Sequence, residues 1–237
     1  MTARKGTDCQ ESVMEQGTTQ VNDPTIMQLF ADAGAIIGDS HFVYSSGRHS
    51  SVYVNKDALY LHTEVIAKLC QRMARPYKAE QIDIVVGPVI GGVVLSQWVA
   101  HELNQRRTSG ETLAIFAEKG SDSLDKQFAF NRGYDHYIAD KNILVVEDVL
   151  TTGGSARQVV DLVRRHCGNV IGVSALCNRG NVQPTDVGDV PIHALIALSL
   201  QTYSETECPY CQQNVPINTE LGKGRAFLAR QKAQTRQ

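Results

Sequence analysis

An excess of charge of one sign is missing from this sequence: 23 basic against 25 acidic residues leave a formal net charge of -2 over 237 residues. The basic residues are dispersed apart from small clusters near both ends, so there is no electrostatic footprint for nucleic acid or a membrane surface. Small-molecule chemistry is left favoured. Residues 1–23 are polar and contain no apolar leader core, which makes the cytoplasm the expected location. Long uninterrupted apolar runs are missing as well. The one suspicious stretch, IVVGPVIGGVVLSQWVA at 84–100, is broken by Pro88, Gly87, Gly91 and Gly92 and reads as a buried strand, a tight loop and a helix rather than a membrane span. Internal repeats are absent, and so are both nucleotide signatures, G-x-x-x-x-G-K-[ST] and G-x-G-x-x-G. A second C-x-x-C is also lacking beside Cys208 and Cys211 in CPYC, so a zinc site there would have to recruit a distant Cys or His or a second subunit. A redox pair would need a βαβ context. Either reading ranks below a plain turn in a polar tail, with zinc the better of the two. Six cysteines are ordinary for a cytosolic chain of this size, and most are expected to be reduced core thiols.

What is present, 42% hydrophobic and 20% charged residues, suffices for one sizeable α/β domain. Residues 1–22, rich in Thr, Gln and Glu and without periodicity, are expected to be a disordered tail. A helix starts at Pro24 with an apolar face of Ile26, Leu29, Phe30 and Ala33 and stops at Gly34. HFVYSSGRHSSVYVN has two β-rich arms around Gly47 and predicts a hairpin. Thr63 is expected to cap a second helix with its face at Val65, Ile66, Leu69, Cys70 and Met73. Strands at 82–86, 113–118, 142–146, 169–176 and 192–198 then alternate with helices at 93–104 and 156–166. That alternation predicts a parallel sheet covered on both faces. The expected division is a tail over 1–22, a domain with its hood over 23–200, and a tail with CPYC over 201–237.

The most informative stretch is VVEDVLTTGGS at 145–155. Its order is a β-branched strand, two adjacent carboxylates at Glu147 and Asp148, then a hydroxyl- and glycine-rich turn opening a helix. The turn Thr151–Thr152–Gly153–Gly154–Ser155 supplies inward N–H groups, hydroxyls and a helix N-terminus, a cradle for phosphate. The carboxylates cannot serve that same anion, so the ligand must also carry hydroxyls or a divalent metal. A sugar phosphate has both. An acidic turn into a Ser-capped helix is the plainer alternative, and the ordered combination outweighs it. GPVIGG at 87–92 and AEKGSD at 117–122 leave neighbouring strands at the same carboxyl edge, so three loops are expected to converge on one site.

VVEDVLTTGGS resembles the phosphoribosyl-pyrophosphate signature of the type I phosphoribosyltransferases. FVYSSGRHSSVY is similar to that family's hood segment F-x-x-x-S-G-x-x-S-x-x-Y, matching at Ser46, Gly47, Ser50 and Tyr53, and the likeness spans roughly residues 25–200. It implies the family's fold: a central, mostly parallel sheet flanked by helices, with a small N-terminal hood. It implies that Glu147 and Asp148 hold the ribose, with Val149, Leu150, Thr151, Thr152, Gly153, Gly154 and Ser155 forming the 5′-phosphate loop. Gly91 and Gly92 would meet the pyrophosphate. Lys119 and Lys126, at the start of and within a polar loop, would close over the reacting centre and act in catalysis with Asp148. In the orotate-specific branch the base is contacted at the positions of Thr151 and Arg179. The implied cofactor is Mg2+, carried between substrate oxygens with no protein ligand assigned, and the implied assembly is a homodimer. Transfer to a purine or other base, and a non-catalytic sensor of the same donor, remain open alternatives.

Overall fold

A computed structural model describes residues 18–20, 23–44, 46–120, 127–198 and 200–234. In chain order these form β1 (Thr18–Gln20), α1 (Pro24–Asp32), β2 (Ile36–Ile37), β3 (Phe42–Val43), β4 (His49–Ser50), β5 (Tyr53–Val54), α2 (Lys56–Tyr60) and α3 (Thr63–Ala74). Next come β6 (Ile84–Pro88), α4 (Gly91–Arg106), β7 (Leu113–Lys119), β8 (Phe128–Ala129), β9 (Asn142–Leu150), α5 (Gly154–Arg165), β10 (Asn169–Asn178) and β11 (Ile192–Ala197). The last elements are α6 (Pro209–Gln212) and α7 (Gly224–Gln234).

The main sheet runs β1-β11-β10-β9-β6-β7-β8, all pairs parallel except β7 with β8. Its central strand explains its stability. Ile143, Leu144, Val145 and Val146 of β9 are fully buried, each side chain contributing about 1.5–3 kcal/mol relative to exposure. They alternate as a strand with two covered faces must. Leu144 and Val146 pack with α1, α3 and α4 residues such as Phe30, Leu69 and Leu95, while Ile143 and Val145 pack with Val159, Val160 and Val163 of α5. The expected strands and helices at 84–197 are all found, and the apolar stretch 84–100 is indeed strand, loop and helix. Among the described residues no helix is long and apolar enough to cross a membrane.

Several boundaries differ from the sequence expectation for identifiable reasons. The strand expected at 142–146 runs on to Leu150, so Glu147 and Asp148 lie within it rather than in a loop; its register with Ala175 and Cys177 of β10 holds the backbone extended through both acids. Thr63 is already inside α3, whose cap is His62 without a side-chain cap bond. The helix expected at 93–104 begins at Gly91. Thr18–Gln20, inside the segment expected to be disordered, pair in parallel with Ile192–Ala194 of β11; residues 1–17, 21 and 22 lie outside the described residues. Two- and five-residue elements such as β8 and α2 are too short to carry a detectable period.

The hood consists of the β3–β4 hairpin, with Phe42 opposite Ser50, and the β2–β5 pair. Gly47 turns the hairpin with φ +79° in the left-handed region that glycine adopts without a Cβ penalty. Beyond β11 the chain returns to the hood: His49 pairs with Tyr203 and His41 with Ile217.

At the start of α4 the first turn presses against β6. A Cβ built on Gly87 would lie 2.5 Å from the Cα of Gly92, and both neighbours are backbone that cannot yield by rotamer change. Gly87→Ala is therefore expected to lower the stability of the fold by about 1–3 kcal/mol, read from the midpoint of urea unfolding. An unchanged midpoint would show that β6 and α4 are not held this tightly.

Candidate active site

Strand order reverses between β6 and β9. From β6 the chain proceeds to β7 on one side, and from β9 it proceeds to β10 and β11 on the other. The carboxyl ends at such a reversal leave a crevice that neighbouring loops line. Asp148 of β9 and Gly91 of α4 face each other across it. A Cβ on Gly91 would overlap Asp148 Oδ2 and lie 2.5 Å from the Tyr60 hydroxyl. Bare backbone at Gly91 is what lets the strand end, the helix start and the hood meet. The Val89–Ile90 peptide in this loop is cis.

Asp148 is 3% exposed. Its Oδ2 accepts from Lys56 Nζ at 2.7 Å and from the Tyr60 hydroxyl at 3.2 Å, and its Oδ1 accepts from Val149 N at 2.7 Å. Burial pushes the Lys56 ammonium down, but Asp148, followed by Glu147 and Asp57, outweighs it and leaves the Lys56 pKa raised. Burial first, then Asp148, pushes the Tyr60 phenol well up, so it stays a donor. Glu147 is also buried, and among the described residues it forms no salt bridge. Burial and then the charge of Asp148 push its carboxyl up to about 8. Glu147 is thereby driven toward a neutral acid able to donate and accept, beside the carboxyl that Lys56 faces.

After Leu150 the chain turns outward. Thr151, Thr152, Gly154 and Ser155 are exposed, and Gly153, buried, takes φ +76° as the N-cap of α5. The N–H groups of the first turn of α5 have no helical acceptor and point toward solvent and any anion bound there. Val149 and Leu150 remain in β9; the Leu150 carbonyl accepts from Arg179 N at 2.9 Å and Gly180 N at 3.1 Å. A Cβ on Gly180 would overlap the Thr151 carbonyl, so Arg179 follows β10 directly alongside the turn. Its guanidinium lies 4.7 Å from the ring centroid of Tyr44 in the hood, a cation–π contact that orients the fork.

The expected residues therefore fall into place unequally. Gly91, Gly92, Glu147, Asp148, Thr151–Ser155 and Arg179 all lie along one carboxyl edge between β6 and β10. Lys119 is exposed at the end of β7, two strands from Asp148 and so about 10 Å across the sheet. Lys126 and Ser45 lie outside the described residues. Lys56, Tyr60 and Tyr44 were missed. Lys56 and Tyr60 stand four apart on α2, hence on one helix face, and a Lys-x-x-x-Tyr spacing directly after the hood strand was the signal available.

Residues 57–190 match the model of the phosphoribosyl transferase domain. The chain belongs to the phosphoribosyltransferase family. It is 34% identical over 197 residues to the orotate phosphoribosyltransferase of Caldicellulosiruptor bescii, covering 83% of this chain and 96% of that protein. Its fold is similar to that of the orotate phosphoribosyltransferase of Mycobacterium tuberculosis H37Rv, solved in complex with Fe(III) dicitrate, with TM-score 0.57 and 20% identity over 74% of this chain and 98% of that one. It is also similar to the adenine phosphoribosyl transferase of Trypanosoma brucei, with TM-score 0.53 and 15% identity over 76% of this chain and 82% of that one. The backbone shared across phosphoribosyltransferases is thus common to enzymes named for different bases, and the base must be argued from side chains.

The raised pKa of Glu147 has a stability consequence. Between the ordinary carboxyl value of 4.5 and about 8 the folded chain keeps a proton that the unfolded chain releases. This contribution to stability is complete below the lower value and is lost as pH rises through the upper one. Glu147→Gln preserves the neutral shape and removes the titration. Its melting temperature should exceed that of the parent by several degrees near about pH 8.5 and converge with it toward about pH 5. Parallel profiles for the two proteins would contradict the assignment.

Proposed function

We propose that the protein transfers the phosphoribosyl group of phosphoribosyl pyrophosphate to orotate, giving orotidine 5′-phosphate and pyrophosphate. The observation that carries the choice of base is Arg179, held against Tyr44 at the edge of the Thr151–Ser155 turn. Orotate presents a carboxylate beside its ring carbonyls, which a fixed guanidinium pairs with and which uracil lacks. The names of the curated relatives support the same choice.

The chemistry asks the protein for positions and charge rather than a nucleophile. A ring nitrogen of the base attacks C1 of the ribose, pyrophosphate departs from the opposite face, and the transition state resembles an oxocarbenium ion. Asp148, fixed by Lys56, Tyr60 and its neighbouring N–H, accepts from one ribose hydroxyl, and Glu147 serves the other. The exposed hydroxyls of Thr151, Thr152 and Ser155 and the start of α5 hold the 5′-phosphate. Gly91 and Gly92 open α4 and let its first amides approach the pyrophosphate. Lys119, and Lys126 from the following loop, neutralise the leaving group. Glu147 and Asp148 would be the acids nearest a bound Mg2+, which would supply charge neutralisation to the departing pyrophosphate. The same reading places the protein in pyrimidine nucleotide synthesis, in the cytoplasm and as a homodimer.

Pyrophosphate release measured with orotate, uracil, adenine, guanine and xanthine tests the assignment. Orotate is the expected acceptor. Arg179→Ala should cut kcat/KM for orotate roughly ten- to a hundredfold, the equivalent of about 1.5–3 kcal/mol for a lost charged hydrogen bond, while leaving donor affinity in the absence of base little changed. Turnover of a purine with none of orotate would refute the role of Arg179 and leave phosphoribosyl transfer standing.

A further inference from the structure

The segment after β11 brings CPYC back to the hood. Cys208 caps α6 and Cys211 lies in its only turn. His41 immediately precedes β3 and His49 opens β4. His41 is 1% exposed, His49 and Cys208 are fully buried, and Cys211 is half-buried. One ligating atom from each of the four lies within 4.8 Å of every other. The geometry points to a structural zinc ion held by His41 Nε2, His49 Nδ1, Cys208 Sγ and Cys211 Sγ, fastening the C-terminal segment to the hood.

Distances support a tetrahedral centre. Zinc bonds of about 2.3 Å to sulfur and about 2.0–2.1 Å to nitrogen set sulfur–nitrogen edges near about 3.5 Å and nitrogen–nitrogen edges near about 3.3 Å. The observed sulfur–nitrogen separations are 3.5 Å for Cys208 with His41, 3.7 Å for Cys211 with His41 and 3.3 Å for Cys211 with His49. The two ring nitrogens stand closer, at 2.8 Å, and a small rotation of either ring opens that edge. Two imidazoles and two thiols at this spacing are a donor set that zinc takes in structural sites.

The surroundings orient the ligands. The other nitrogen of His41, Nδ1, is 2.9 Å from the Val215 carbonyl. A carbonyl accepts only, so Nδ1 carries the proton and the Nε2 lone pair faces the sulfurs, the outer-sphere arrangement that metal-bound histidines use. The backbone that presents the ligands is itself paired: His49 N donates to Tyr203 O at 2.8 Å, Tyr203 N to His49 O at 2.9 Å, and Asn218 N to His41 O at 2.8 Å. Tyr210 and Phe227 pack on the two histidine rings and keep bulk water away.

Without a metal the same cluster is hard to justify. It gathers two imidazoles and two thiols in a small protein-lined space, with His41 Nε2 and His49 Nδ1 turned toward each other and toward the sulfurs. Buried polar groups cost free energy unless their partners return it. Cys208 has no exposed surface, which argues against a reactive dithiol, because exchange needs an accessible sulfur.

The metal would have a local consequence. The hairpin that carries His41 and His49 also carries Tyr44, and Arg48 Nε and Nη2 donate to Thr202 Oγ1 and O at 2.7 Å each. Fastening the C-terminal segment thus steadies the surface on which Arg179 rests, while Asp148 and the turn at 151–155 belong to the main sheet.

The test uses the full chain without a histidine tag, produced in zinc-supplemented medium and purified without chelator. Elemental analysis should find about one zinc per chain in the parent and in Cys167→Ser, whose thiol is exposed and belongs to another part of the fold, and almost none in Cys208→Ser/Cys211→Ser. Should the double variant fail to fold, the parent decides alone. Chelator-stripped protein titrated with Co2+ should develop strong visible bands of a tetrahedral ion with thiolate-to-cobalt charge transfer, and bound zinc should protect the half-buried Cys211 from a thiol reagent that still modifies Cys167. Zinc-free parent protein that gives no such cobalt spectrum would overturn the proposal, as would full zinc content in a folded double variant.

Discussion

A carboxylate buried at the end of a parallel strand needs a cation, and Asp148 finds one in Lys56 Nζ at 2.7 Å. Asp148 lies on the central strand and Lys56 on α2, just after the hood strand β5, 92 residues apart. The pair therefore does more than neutralise a charge. It sets the height of the hood over the sheet, brings the Tyr60 hydroxyl to the same oxygen, and requires Gly91 to have no side chain in between. Much of the pair's value lies in placement. Lys56 keeps 42% of its side chain exposed, and solvent screening reduces what such a contact contributes to stability.

Around this contact the acids divide their work. Asp148 is paired directly with Lys56, whereas Glu147, adjacent but without a salt bridge among the described residues, is driven toward its neutral form by burial. Two adjacent carboxyls in different protonation states can together accept from and donate to neighbouring ribose hydroxyls, which two like charges could not do without strong repulsion. The phosphate turn needs no such balancing because its donors are backbone amides and hydroxyls left exposed by the start of α5.

How much of this could be read in the chain depends on distance along it. The strand, acid pair, turn and helix at 143–165 were legible because their chemistry is contiguous, and the β6 loop because glycines punctuate it. The acids were assigned to a loop because they are polar, although pairing with β10 keeps them in β9. Lys56 and Tyr60 were invisible for the opposite reason: nothing within α2 reveals that their partner is Asp148 on a distant strand. Tyr44 lies within the hood motif, yet its contact with Arg179 spans two separate elements. The cysteines of CPYC looked like a tail turn for want of two more ligands, and His41 and His49, 167 and 162 residues away from the thiols they approach, are those ligands only once the chain has folded back on its hood.

The central claim is that the buried, Lys56-paired carboxylate of Asp148 receives the ribose of the donor. Isothermal titration of phosphoribosyl pyrophosphate with Mg2+ into the parent protein and into Asp148→Asn tests it most directly, with circular dichroism confirming that both are folded. The account predicts saturable binding to the parent and at least roughly tenfold weaker binding to the variant, a loss of about 1.4 kcal/mol or more. Equal affinity in two folded proteins would remove Asp148 from the site and contradict the account.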